Sequence, residues 1–132
     1  MSLPETIKGY EKISFVKHLG IKITEITENN AVGTMKITKK MQNYMQLLHG
    51  GVVASFIDTV AFFPGKLLPS GLMITTISLE VKYLKPVSVG DILIAKANVV
   101  HLGKKIGVIE VDVFNSKDKL IAKGIVTVLV LK

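Results

Sequence analysis

His49-Gly50-Gly51-Val52-Val53-Ala54-Ser55-Phe56-Ile57-Asp58-Thr59-Val60-Ala61 is the stretch on which the reading of the fold turns. Val52, Val53, Phe56, Ile57, Val60 and Ala61 recur with the helical period and make one apolar stripe. The opposite side carries Gly51, Ala54, Ser55, Asp58 and Thr59, all small or polar. Pro64-Gly65 should end the element, because proline breaks the hydrogen-bond ladder and restricts the residue before it. One central helix is therefore predicted, with a face to bury and a face left open.

What covers the stripe is read from the flanks. Downstream, Leu72 to Leu84 alternates, with Met73, Thr75, Ile77, Leu79, Val81 and Tyr83 on one face and Thr76, Ser78, Glu80 and Lys82 on the other. Lys85-Pro86 and Gly90-Asp91 turn the chain into Ile92 to Leu102. Gly103-Lys104 then leads to Ile106 to Phe114, and the polar run Asn115 to Lys119 to Leu120 to Leu131. Upstream, residues 4 to 18 read as a helix with a rough apolar face. Ile21 to Thr27 and Ala31 to Thr38 read as strands joined at Glu28-Asn29-Asn30, an Asn pair that tolerates left-handed turn geometry. Short links between long strands predict an antiparallel meander. The expectation is an α+β fold of five to six antiparallel strands wrapped around one long central helix, with residues 1–132 a single domain. The last strand is apolar on both faces (Ile125, Val126, Val128, Leu129, Val130), so oligomerisation or cover from the N-terminal helix is expected.

Composition narrows the function classes. The chain has 132 residues, 48% of them hydrophobic and 20% charged, which suits a globular protein. With no Cys, disulfides, thiolate metal sites and Cys nucleophiles are out. His18, His49 and His101 have no metal-binding spacing, so neither metal nor cofactor is expected. The net charge is +7 and every basic side chain is Lys. Without Arg, the bidentate reading of guanine is lost, and no nucleic-acid partner is expected. The lysines suit a polyanion such as a CoA phosphate, or equally a solvated surface. No apolar run reaches the roughly 18 residues of a membrane span, and the polar first residues do not resemble a signal peptide. A cytoplasmic location is expected.

Two features of the central stretch carry chemistry. His49-Gly50-Gly51 precedes the helix, where backbone N–H groups lack intrahelical partners and the dipole is positive. Glycine admits a substrate carbonyl close to those groups, although a plain helix-entry turn explains Gly50-Gly51 as well. Asp58, on the polar side, suits a general base or nucleophile, and an ordinary exposed helix Asp fits too. Eight residues separate Gly50 from Asp58, about 12 Å along a helix axis. One chain does not easily bring both to one carbonyl carbon. Two antiparallel copies around a two-fold axis would, so catalysis by these residues implies at least a dimer.

The pattern Asn43-x5-His49-Gly50-Gly51-x6-Asp58, followed by a Thr-rich strand ending Val81-Lys82-Tyr83-Leu84-Lys85-Pro86, resembles the phenylacetyl-CoA-type branch of the hotdog thioesterases. The resemblance runs from about Val16-Lys17-His18-Leu19-Gly20 to the C-terminus. It implies a hotdog fold and hydrolysis of an acyl-CoA, aromatic or medium-chain, by a homodimer that pairs into a tetramer. Asp58 would be base or nucleophile, and the Gly50 N–H would polarise the thioester carbonyl. Asn43 would position water or substrate from the subunit supplying Gly50. His49 would hold the loop, and Thr76 would assist water from the subunit supplying Asp58. Gly51 would line the substrate site, and Lys82, Lys85, Lys104 and Lys105 are candidate CoA contacts or solvated lysines. Just after Asp58 the chain departs from the family. Pro64-Gly65 cuts the helix short, and Phe62-Phe63 puts bulk near the expected acyl end, which bears on the acyl group that fits.

Two other functions compete with hydrolysis. A non-catalytic acyl-CoA-binding or regulatory module would not need Asp58 beside Asn43 and Gly50. A hydratase or dehydratase would want a His and an acid aimed together at the acyl chain, whereas His49 precedes Asp58 by nine positions.

Overall fold

In a computed structural model that describes residue 10, residues 13–68 and residues 73–131, six strands form one antiparallel sheet. They are β1 Lys22–Ile26, β2 Asn30–Lys36, β3 Ile74–Tyr83, β4 Ile92–Leu102, β5 Ile106–Phe114 and β6 Leu120–Val130, in the spatial order β1-β2-β4-β5-β6-β3. Helix α1 is Ser14–Leu19 and helix α2, the apolar-striped element, is Gly50–Val60. The sheet wraps α2 as the hotdog arrangement requires.

The packing follows from the stripe. Val53, Phe56, Ile57, Val60 and Ala61 are buried against the inner faces of β2, β4, β5 and β6. Each large apolar side chain so placed contributes about 1.5–3 kcal/mol of burial. Small residues under the helix let it approach. A Cβ at Gly33 would stand 2.8 Å from Val60 Cγ2, and one at Gly124 would stand 2.7 Å from Ile57 Cγ2. Ile57 is fully buried, so it has nowhere to yield. Gly124→Ala is expected to cost about 1–3 kcal/mol through overpacking. Denaturant melts of the variant give the test, and an unchanged midpoint overturns this account of the helix seat.

The structure corrects several expectations. The meander holds for β4, β5 and β6, but β3 pairs with β6 at the far edge and does not touch β4. Residues 84–91 therefore pass across the ends of β6 and β5. That span is about three inter-strand spacings, well within the reach of eight residues. The link is pinned by Leu84 and Lys85 N–H donating to Ile121 O and by Leu48 N–H donating to Val87 O.

The alternation along β3 is also broken. Thr76 pairs with Val128 and Ser78 with Thr127, which leaves Ile77 as an extra bulged residue. The bulge shifts the parity, so Thr76 shares the helix-facing side with Leu79, Val81 and Tyr83, not the outer side with Ser78, Glu80 and Lys82. In the N-terminal region the described helix is only Ser14–Leu19, ended by Gly20 at φ 71. The rest of the helix expected over residues 4 to 18 falls largely outside the described residues. The β1–β2 turn closes without left-handed Asn. Thr27 N–H donates to Asn30 O, Asn30 N–H to Thr27 Oγ1, and positive φ outside glycine occurs among the described residues only at Gln46 and Asp118.

Asp91, at the end of the crossing link, accepts from the Ile92 and Ser116 N–H groups at 2.7 and 3.3 Å. A side-chain hydrogen bond from Ser116, outweighing a small burial cost and aided by the backbone bonds, holds its carboxyl below the ordinary range. A lowered folded-state value means stability that is present above the unfolded carboxylate range and lost as pH falls through the folded value. Asp91→Ala is thus expected to destabilise at neutral pH, with the gap to the parent closing as pH falls through the folded value. Melting curves across that range would show a constant gap if the anchor is not ionic.

Candidate active site

The start of α2 is built from three backbone segments. His49 N–H donates to Met41 O and Leu48 N–H to Val87 O, which hold the helix entry against the rest of the molecule. His49 is the N-cap, and its Nδ1 accepts from Gly51 N–H at 2.8 Å. The Gly50 N–H has no partner among the described residues and lies at the positive end of α2. On its other polar side Gly50 is held, with Tyr83 Oη donating to its carbonyl at 2.8 Å. Tyr83 lies within the Val81–Pro86 motif, yet sequence reasoning gave it no role.

Asn43 organises the loop before the helix. Its Oδ1 accepts from Met45 N–H at 2.8 Å and Leu47 N–H at 3.2 Å, which leaves the side-chain amide N–H groups for a ligand. Gln46 completes the turn at φ 64, a left-handed conformation that non-glycine residues rarely adopt. Two clefts of about 330 Å³ flank this region. One is lined by Leu48, Gly50, Val53, Tyr83, Lys85 and Ile121 among others, and the second includes His18, Lys40, His49, Gly51 and Ser55.

Asp58 lies toward the far end of α2. Its half-buried carboxylate meets β3, where Thr76 Oγ1 donates to Asp58 Oδ1 at 2.7 Å. The bulge at Ile77 makes this contact, because without the parity shift Thr76 could not share a face with Val81 and Tyr83. The structure thus brings Asp58 and Thr76 together at one end of the helix. Gly50, Gly51, Asn43 and His49 gather at the other.

The lysines separate. Lys85 lines the cleft with Gly50. Lys82 pairs across with Lys123 on the outer face of the sheet, away from α2. Lys104 and Lys105 sit in the β4–β5 turn, where Lys105 O accepts from Val130 N–H, so they belong to the end of the sheet that carries Thr76. Phe63 is buried edge-on against Tyr10, with ring centroids 5.3 Å apart, and neither it nor Phe62 lines either cleft. The turn after α2 aims Phe63 into the core. Among the described residues, no three His, Cys, Asp or Glu side chains form a metal-holding group. No described helix is long and apolar enough to cross a membrane.

A Thioesterase superfamily profile matches residues 45–122, which include Gly50, Asp58, Thr76 and the Tyr83 motif. The chain belongs to the thioesterase superfamily. The acyl-coenzyme A thioesterase PaaI of Escherichia coli K12 is 36% identical over 113 residues, covering 86% of this chain and 79% of that one. The structure of the E. coli PaaI protein from the phenylacetic acid degradation operon superposes with a TM-score of 0.86 at 32% identity, over 96% of this chain and 91% of that one. A hypothetical thioesterase of Streptococcus pneumoniae, solved with coenzyme A, superposes with a TM-score of 0.77 at 27% identity, over 83% and 84% of the two chains. The hotdog thioesterase resemblance read from Asn43, His49-Gly50-Gly51, Asp58 and the β3 motif is borne out, and this thioesterase is an enzyme of the PaaI-like kind.

Proposed function

We propose that this thioesterase hydrolyses an acyl-CoA, aromatic or medium-chain, at a site shared by two copies of the chain. The observation that carries the reading is the half-buried Asp58 carboxylate, gripped by Thr76 at 2.7 Å, at the opposite end of α2 from the open Gly50 N–H. In an antiparallel pair each Asp58 faces the other copy's Gly50. β3 supports such a pair. It is an edge strand with one side unpaired, and Ile77 and Leu79 are 52% and 38% exposed on it.

In the proposed reaction the Gly50 N–H donates to the thioester oxygen and stabilises the charge that develops there. Acting as base, Asp58 takes a proton from water as the water oxygen bonds to the carbonyl carbon. Collapse of the tetrahedral intermediate then breaks the C–S bond, and the proton passes from Asp58 to the departing sulfur. Acting as nucleophile, Asp58 would instead bond to the carbonyl carbon as the C–S bond breaks, and the departing CoA thiolate would take a proton from solvent. Water would then open the mixed anhydride to the free acid and the Asp58 carboxylate. The amide N–H groups of Asn43 position water or substrate, His49 and Gly51 shape the carbonyl site, and Thr76 orients Asp58. Lys85, beside Gly50, is the preferred CoA contact. Lys104 and Lys105 reach a shared site from the Asp58 side, whereas Lys82 on the outer face is the weakest candidate. The CoA in the S. pneumoniae thioesterase supports this ligand class. The reading includes a cytoplasmic tetramer that needs no cofactor.

A panel of aromatic and aliphatic acyl-CoAs, followed by free-thiol release, tests the reading. Turnover of at least one thioester is expected. Tight binding with no turnover across the panel would support the non-catalytic module instead.

A further inference from the structure

The peptide unit joining Gly50 to Gly51 is held at both of its polar ends. Tyr83 Oη donates to its carbonyl at 2.8 Å, and its N–H donates to His49 Nδ1 at 2.8 Å. The unit is planar and conjugated, so donation to the oxygen strengthens the N–H as a donor and the two bonds reinforce each other. Both flanking positions are glycine for a reason visible in the contacts. A Cβ at position 50 would stand 3.3 Å from Tyr83 Cζ, and one at position 51 would stand 3.1 Å from His49 Nδ1.

We propose that Tyr83 is a positioning residue for the thioester carbonyl: with His49 it clamps the Gly50–Gly51 peptide, and the clamp fixes the aim of the adjoining Gly50 N–H. This rests on the reading of Gly50 as carbonyl polariser. The Gly50 N–H and carbonyl share one Cα, so a peptide plane free to rock about that atom relaxes the angle at which the N–H meets a ligand. A hydrogen bond weakens steeply as it bends, which makes the aim matter. Tyr83 reaches this position from the helix-facing side of β3, where it pairs with Ala122 and shares a face with Leu79 and Val81. A purely structural role would have the ring pack and the hydroxyl face water, but the hydroxyl is spent on the one carbonyl that adjoins the open N–H.

The test compares wild type with Tyr83→Phe, using the fastest substrate of the acyl-CoA panel and its sulfur-to-methylene analogue carrying a 13C-labelled ketone. The expected result for Tyr83→Phe is kcat lowered about tenfold with KM within twofold, and a smaller downward shift of the bound ketone's infrared stretch. Unchanged kcat together with an unchanged ketone stretch overturns the proposal. A wild-type ketone that shows no downward shift overturns the Gly50 reading itself, which separates the two failures. If melting shows that Tyr83→Phe is not folded, 3-fluorotyrosine placed at position 83 offers a stronger donor of the same shape. A deeper ketone shift then supports the clamp, and an unaltered one overturns it.

Discussion

Asp58→Asn is expected to lower the turnover of the best acyl-CoA by a hundredfold or more, about 3 kcal/mol of transition-state stabilisation. The substitution isolates the chemistry. Asn keeps the shape of Asp, and its Oδ1 still accepts the Thr76 hydroxyl that meets Asp58 at 2.7 Å. The half-buried position at the end of α2 therefore keeps its hydrogen bond and fold, whereas the group that takes a proton or attacks carbon is gone. KM should move little, because the loss falls on the transition state and not on the ground-state complex. Thr76→Val is the milder companion: it leaves the carboxylate in place but unoriented, and a drop of about tenfold or less is expected. Free-thiol release with matched melting curves decides the matter. An Asp58→Asn enzyme that is folded and turns over like wild type removes Asp58 from the mechanism.

The elements were legible where the sequence carries a period. The stripe from Val52 to Ala61 and the alternation in Ile106 to Phe114 report burial directly, because helices and strands present fixed faces. Parity within β3 was not legible. Ile77-Ser78 reads as ordinary alternation, and the extra residue shows only where Thr76 and Ser78 find consecutive partners on β6. That single bulge moved Thr76 from the outer face to Asp58, while Tyr83 kept the face that its alternation with Leu79 and Val81 predicts. The placement of β3 at the edge was hidden as well, since an eight-residue link fits a local turn or a passage over two strand ends equally. Gly50, Asp58 and Asn43 stood out through a spaced pattern. Tyr83 did not, because its contact with Gly50 spans 33 positions and needs the finished sheet.

Gly50→Pro is expected to cost a further large factor, about 10²–10³ in kcat, the usual effect of losing one oxyanion donor. Proline suits the place better than any other lesion. Gly50 is the first helical residue, where proline is favoured and its missing N–H disturbs no ladder bond. His49, at φ -68 and ψ 134, already has the extended geometry that precedes proline. The new Cβ would press Tyr83 at 3.3 Å, and Gly50→Ala makes the same contact while keeping the N–H, so a much smaller loss in Gly50→Ala assigns the effect to the donor. Mixing then locates the site. If Gly50 of one copy serves Asp58 of the other, a dimer of one Gly50→Pro and one Asp58→Ala chain has one site with both lesions and one with neither. In a two-fold dimer, random pairing of equal amounts would restore about a quarter of wild-type activity from two nearly dead parents. A site complete within one chain would restore nothing, because every chain in the mixture carries a lesion. Activity measured before and after subunit exchange therefore separates a shared site from a private one.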